Sequence, residues 1–504
     1  MKVKITYIDV CIGSYLLWGI LNMLFISHLP FNNILVWKWS VIAGIYMAMR
    51  VFSRKNWILW GVVLFGIVQA FCAIGQQIGY IASNHNLFDV TGFMGNPGQL
   101  GGFQAFALVV VFMLLKKNTN YQLRICVIPA ALLIGYSLWL ADSRAGWLAF
   151  MVGFFILYWS NIVRVLRQHK WLYILAVILM IGLPIQLFNY RSDSVMARLL
   201  IWRVSADMVA DNPIAGLGVG QFNQHYILYQ ADYFKQNPDS DFLMVADNAA
   251  YPYNEILHVL IEQGVIGLIA LGALIVVGCL MATDKTLLAP FVAMLVFSCF
   301  SYPSYKLGLL ALFPISLGVI GSKKSLEMHG RWAYIGTIGL WGVTSFAIIT
   351  GWNLSHEARR SSRQLMQSYD KRSAEFVTEQ FDRLYVDARF NTMYLLAMMK
   401  YPHEMADETR FCHIIPTCEN WCDIGDYYAE QGAFHQAEEY YRIAALMIPT
   451  RLTPNYRLWK LYLQQGRGDE AGKIALHILN QPLKVENTFT IRVKNEVRKK
   501  LGDF

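Results

Sequence analysis

Along the first 351 positions apolar residues come in long runs separated by short polar stretches. A run of about 18 or more is what a hydrocarbon core of about 30 Å requires of a helix. Eleven runs are read, at roughly 7–27, 33–52, 57–76, 99–116, 122–141, 145–160, 171–189, 256–280, 286–303, 307–322 and 332–351. Lipid offers backbone groups no partner, so each run is expected to be helical. Past residue 352 the long apolar runs stop and charged residues crowd in. The pattern predicts an all-α fold: a polytopic bundle over 1–351, with a large loop at 190–254, then a soluble tail over 352–504. The first run has no small-residue cleavage site and is followed by further spans, so it is expected to be a retained helix.

Composition agrees. The chain is 56% hydrophobic and 15% charged, too apolar for an ordinary soluble protein. Its formal charge of +9 is uneven: residues 1–351 hold 22 Lys+Arg against 14 Asp+Glu, and the tail 21 against 20. The basic excess therefore reports membrane topology, not nucleic acid. Lys2, Lys4, Arg50, Arg54, Lys55, Lys116, Lys117, Arg124, Arg164, Arg167, Lys170, Lys285, Lys323, Lys324 and Arg331 all fall in alternate loops, 15 of the 22. The positive-inside rule makes that side cytoplasmic and the N-terminus internal. With an odd number of spans the tail is external. So are 91–102, the turn holding Arg144, the 190–254 loop and "SYPSYK" at 301–306. Lys38 is the exception, near the outer end of the second span, from where it can snorkel outward.

In the tail, "NWCDIGDYYAEQGAFHQAEEYYRIAALMIPT" (420–450) has tetratricopeptide-repeat spacing, with Trp421, Gly425, Tyr428, Ala437, Tyr441, Ala444 and Pro449 at the pattern's positions. A shift of 34 residues repeats it less perfectly through Leu458, Tyr462, Gly466, Ala471 and Ala475. A weaker unit is read around 387–402. Such a tail is either a structural cap or a docking surface for a protein partner or acceptor. Cys412, Cys418 and Cys422 allow one disulfide in an oxidising compartment.

Two stretches outside the tail carry candidate chemistry. In 196–222, Arg198 and Trp202 lie one helical turn apart, and Arg191, Arg198 and Arg203 are candidates for an anionic ligand; an interfacial helix is the alternative. In "YPYNEILHVLIEQGVIG" (251–267), Asn254, His258 and Glu262 recur every four residues and are expected on one face of a span. Ionisable groups entering a membrane from one side default to a functional hypothesis, with an interhelical hydrogen-bond network as the alternative.

Four segments in order resemble the bacterial O-antigen ligase and O-antigen polymerase superfamily, which includes pilin-type protein O-oligosaccharyltransferases. They are "GNPGQLG" (95–101), "DSRAGWLA" (142–149), "RLLIWRVSADMVADNPIAGLGVGQF" (198–222) and "YNEILHVLIEQGVIG" (253–267). The resemblance covers roughly 57–322. It departs at Tyr253, where the family usually has His, and at Gly98, in place of a second Asn.

The resemblance implies a multi-pass protein of the bacterial inner membrane that moves a glycan from undecaprenyl diphosphate to an acceptor hydroxyl at the periplasmic face. The acceptor is a lipid, a glycan or a protein. The leaving diphosphate accumulates negative charge, which suits arginine's planar, permanently charged fork. Arg144 and Arg198 are assigned to it, with Arg191 or Arg203 as a third. Asn96, Ser143, Tyr253 and Asn254 complete the expected substrate contacts, and Glu255 and His258 are the candidate bases. No metal motif appears, so neither metal nor cofactor is expected. A transporter of lipid-linked glycan would need an internal repeat and midplane polar groups, which are not found. A scaffold would not account for the arginines.

Overall fold

In the computed structural model of the protein, the apolar runs that fall on described residues become helices. The structure describes residues 3–27, 33–51, 55–85, 87–117, 121–169, 171, 192–282, 284–320, 325–328 and 416–501. The expected spans near 171–189 and 332–351, Arg191, Cys412 and the weak repeat around 387–402 lie outside the described residues. The chain divides into two compact units.

The first unit holds α1 (Tyr7–Phe25), α2 (Asn33–Val51), α3 (Lys55–Gln77), α4 (Pro97–Lys117), α5 (Tyr121–Leu140) and α6 (Arg144–Gln168). Later in the chain it adds α7 (Glu255–Leu280), α8 (Leu288–Ser298), α9 (Leu307–Leu310) and α10 (Leu312–Ile320). Among the described residues five helices are long and apolar enough to cross a membrane: α1, α4, α6, α7 and most of α3. The all-α expectation is modified by one short antiparallel ribbon, Val3–Thr6 paired with Ser325–Met328.

Helix α4 is the centre of this unit. Of its span 83% is buried, against 44% or less in the other four. It packs against α3, α5, α6 and α8. Small residues allow the close approach that membrane helices need in place of a hydrophobic drive. A Cβ on Gly101 would strike Ser143, and one on Gly146 would lie 2.7 Å from the Gly101 carbonyl oxygen. Over its 21 residues α4 rises about 30 Å. It ends on Lys116 and Lys117, favourably placed at the negative end of the helix dipole. There Lys117 pairs with Asp284 at 2.9 Å.

The second unit contains α11 (Ser192–Asp211) and α12 (Phe222–Gln236), together with five tail helices, α13 (Cys418–Glu430), α14 (Phe434–Met447), α15 (Leu452–Gln464), α16 (Gly468–Asn480) and α17 (Thr488–Leu501). From Cys418 to Leu452 and from Phe434 to Gly468 are both steps of 34 residues. In the first helix pair a small residue meets a large one, where Gly425 faces the Tyr441 ring.

The 190–254 segment, expected as a loop of the membrane part, is largely helical and shares a unit with the tail. The physical reason is an aromatic stripe: Phe222, Tyr226 and Phe234 on α12 are fully buried, and α14 packs on that helix. Gln230 on α12 donates to the Met447 carbonyl at 2.6 Å, and Asp247 receives Lys484 at 3.0 Å and Arg451 at 3.4 Å. Cys418 and Cys422 are both buried, free thiols.

Burial alone would raise the Asp284 carboxyl, but Lys117 and the Thr286 N–H and hydroxyl outweigh it and hold the group at about 2. An unfolded Asp titrates near ~3.9. The pair's stabilisation is therefore complete above that value and disappears as pH falls through about 2. In acid unfolding followed by circular dichroism, Asp284→Asn is expected to flatten the decline between about pH 4 and pH 2. Identical slopes in wild type and variant would contradict this.

Candidate functional site

The site in the first unit begins with two glutamines on α3. Gln69 and Gln76 are two turns apart and so share a face. Gln76 Oε1 accepts the Thr91 and Gly92 N–H groups, each at 2.8 Å, and Gln69 Oε1 accepts the Phe93 N–H at 2.9 Å. These bonds fix the turn that delivers Asn96. The Asn96 Oδ1 then accepts the Gly98 N–H at 2.9 Å, which closes a side-chain turn at the start of α4.

The α6 start docks on that turn. Ser143 is the N-cap of α6 and accepts the Gly146 N–H at 3.1 Å. Its hydroxyl also donates to the Gly98 carbonyl at 3.4 Å. Arg144 is consequently the first residue of the helix. The first turn of α6 has no acidic residue. A cation there faces the positive end of the helix dipole, a placement that costs about 0.3–1 kcal/mol unless an anion offsets it.

A third cluster surrounds the start of α7. Asn254 is its N-cap, with Oδ1 accepting the Ile256 and Leu257 N–H groups at 3.0 Å each. The expected face of Asn254, His258 and Glu262 is thus modified, because capping holds the Asn254 carbonyl on the helix end. The His258 and Glu262 part of that face forms. His258 Nε2 lies 3.2 Å from Glu262 Oε1, near enough to pair though off the line of a hydrogen bond. On its other side Nδ1 is 3.4 Å from Glu255 Oε2. The imidazole is 13% exposed and Glu255 15%, so water has limited access to either.

The segment 301–306 closes over this cluster. Glu255 Oε1 accepts the Ser304 N–H at 2.9 Å and the Ser304 hydroxyl at 2.6 Å. Tyr305 stacks on His258 with ring centroids 5.8 Å apart. Tyr302 meets Tyr253 edge to face at 5.1 Å. Tyr253 has a left-handed φ of 53°, uncommon for a bulky residue and a frequent feature of functional sites. Ser304 and Tyr305 were not singled out from sequence, where a carboxylate bonded 49 positions away leaves no periodic signal.

The span beginning at Glu255 is not continuous. Gly264 has φ 65° and ψ −166°, which breaks the helix one turn and a half past His258. The Trp18 indole N–H of α1 donates to the Gln263 carbonyl at 3.1 Å, and Gln263 Nε2 donates to the Tyr15 hydroxyl at 3.2 Å. Backbone freed at membrane depth needs such partners.

The second unit holds the other expected arginines. Arg198 is half-buried on α11. Arg203 is exposed and pairs with Asp207 at 3.3 Å. Trp202 donates its indole N–H to the Pro252 carbonyl at 2.9 Å. Among the described residues no group of three or more His, Cys, Asp or Glu could hold a metal ion.

Residues 129–272 match the family model for O-antigen ligase. The match supports the resemblance to the O-antigen ligase superfamily over a segment that contains Arg144, Arg198, Arg203, Glu255 and His258. The likeness covers that segment of the chain, and it supports a membrane glycosyltransferase of the O-antigen ligase or polymerase type. No curated protein and no solved structure matches it.

Gly264→Ala is expected to lower thermal stability in detergent by about 1–3 kcal/mol, the usual cost of a side chain in such a backbone region. Trp18→Phe leaves the Gln263 carbonyl without its donor and is expected to cost a similar amount, about 1–3 kcal/mol. Melting curves unchanged in both variants would show that the break is not held as described.

Proposed function

We propose that the protein transfers a glycan from undecaprenyl diphosphate to an acceptor hydroxyl at the periplasmic face of the bacterial inner membrane. The observation that carries this reading is Arg144. It is a half-buried arginine at the start of α6, directly after the Ser143 cap that meets the Gly98 carbonyl, inside the segment matching the ligase family. A developing diphosphate charge gives that placement a purpose, because donors aimed where charge accumulates stabilise the transition state.

In the proposed step the acceptor oxygen attacks the anomeric carbon and the sugar–phosphate bond breaks. The electron pair leaves with the lipid diphosphate, whose charge Arg144 meets. Arg198 is given the same role on the strength of its position in the matched segment, with Arg191 also a candidate. Arg203, already paired with Asp207, is the weaker candidate. The acceptor proton passes to Glu255, which Ser304 and His258 hold in place. His258 is the alternative base. Asn96 and Ser143 shape the turn beside Arg144, and Tyr253 and Asn254 line the approach to Glu255. The reaction as written uses neither metal nor cofactor.

The tail is proposed to dock a protein or glycan acceptor, as tetratricopeptide repeats do. Its helix pairs restarting at 34-residue steps support that reading. A polymerase or protein O-oligosaccharyltransferase would share the donor end and differ only in acceptor.

The test is transfer by purified protein from a lipid-diphosphate-linked glycan. Arg144→Ala is expected to lower kcat by about 10²–10³-fold, the usual loss for one transition-state donor. Arg144→Lys should recover only part, because lysine keeps the charge without the bidentate fork. Arg198→Ala should lose more than Arg203→Ala, and Glu255→Gln should lose rate without losing donor binding. Near-normal transfer by both Arg144→Ala and Arg198→Ala, with normal membrane insertion, would sink the assignment.

A further inference from the structure

Glu262 is a buried carboxylate with no part in the proposed transfer step. It lies two turns into α7, an apolar helix long enough to span a membrane. An ionisable group kept in such a place marks a functional site by default. Its position is fixed by its neighbour in the chain. The Gln263 carbonyl accepts the Trp18 indole N–H at 3.1 Å, and the Gln263 amide donates to the Tyr15 hydroxyl at 3.2 Å. The helix then breaks at Gly264.

Across from Glu262 stands His258. Glu262 Oε1 lies 3.2 Å from Nε2, and Glu255 Oε2 lies 3.4 Å from Nδ1. Tyr305 stacks on the ring with centroids 5.8 Å apart. An imidazole acts as a base through a ring nitrogen with a free lone pair. Both nitrogens of His258 already face a carboxylate, which leaves neither for an acceptor hydroxyl. Glu255 differs. An ionised carboxylate offers about four acceptor sites. The Ser304 N–H, the Ser304 hydroxyl and His258 take up the rest and leave one for the incoming proton.

We infer that Glu262 is a positioning residue: it holds His258 as a bridge to Glu255 and so assigns the proton transfer to Glu255. The inference rests on the glycosyl-transfer reading for its reaction. It deepens that reading by giving Glu262 a role and by removing His258 as a base. As the acceptor oxygen bonds to the anomeric carbon, its proton passes to the Glu255 carboxylate, and the sugar–phosphate electron pair leaves with the diphosphate. Glu262 and His258 exchange no atom with the substrate.

The experiment uses the full-length protein in phosphatidylcholine nanodiscs, with a lipid-diphosphate-linked glycan as donor. Initial rates are measured for wild type, Glu262→Gln, Glu262→Asp, His258→Gln, Glu255→Gln and the double variant Glu262→Gln/His258→Gln. Glu262→Gln keeps the size of the side chain and is expected to lower kcat by about tenfold, the effect of one charge-assisted contact, with the donor KM unchanged. Glu262→Asp keeps the charge and should retain part of that rate. Because Glu262 acts through His258, the double variant should be no slower than His258→Gln. Glu255→Gln should lose more than His258→Gln.

A second readout needs no turnover. In protein with isotope-labelled histidine, the His258 ring resonances are assigned by their loss in His258→Gln. Glu262→Gln is expected to move Nε2 more than Nδ1, and Glu255→Gln the reverse. An Nε2 signal that ignores Glu262, or losses that multiply in the double variant, would overturn the bridge. A His258→Gln loss as large as that of Glu255→Gln would return the base to His258 and overturn the assignment. A wild type that transfers no glycan, while Nε2 still answers to Glu262, would sink the transfer reading and leave the bridge standing. Normal transfer by wild type with an undiminished kcat in Glu262→Gln would do the reverse.

Discussion

The contact between the starts of α4 and α6 is the constraint on which the first unit depends. A membrane gives helix termini no water, so each terminal N–H needs a partner within the protein. Ser143 meets that need for α6 and also joins the two helix starts. Its hydroxyl accepts from Gly146 to cap α6 and donates to the Gly98 carbonyl to tie that cap to α4. The contact is possible only because Gly101 and Gly146 carry no side chain where the two backbones meet. Once it forms, Arg144 has no choice of position: it is the next residue, and it must stand at the helix start. The stability of the fold and the placement of its principal cation are therefore one fact.

The start of α7 follows the same logic with different residues. Asn254 caps the helix, and Glu255 turns outward to take Ser304. His258 and Glu262 complete a polar wedge with limited exposure. The break at Gly264 ends that wedge. Broken helices are tolerated at membrane depth where other groups re-satisfy the backbone; the Trp18 indole does so here, and the Tyr15 hydroxyl holds the Gln263 side chain. The polar half of this span is in effect a short helix of its own, positioned by α1 on one side and by 301–306 on the other.

How much of this was legible in the sequence depends on whether the signal was local. Apolar runs long enough to span lipid are local, and the described ones are helices. So is the spacing that puts His258 and Glu262 together, and the Asn96 and Ser143 turns. Asn254 was read as part of a periodic stripe, although an Asn directly before an acidic helix start is also a capping signal, and capping is what it does. The Gly264 break was hidden because a lone glycine inside an apolar run is usually tolerated as helix. The aromatic stripe of α12 was present in the sequence, but periodicity does not name the surface that covers it. Ser304 was invisible as a site residue because its partner, Glu255, is far away in the chain.

Electrostatics joins these pieces. Arg144 stands at the unfavourable end of its helix, where an acid would be the stabilising choice. The two Glu255 oxygens are occupied by Ser304 and His258. The basic residues that do sit well, Lys116 and Lys117 on the last turn of α4, lie at the opposite end of that helix, and Lys117 has an acidic partner in Asp284. The two ends of α4 thus stand in different settings: its last turn pairs with Asp284, and its start is tied through Ser143 to the cap that precedes Arg144.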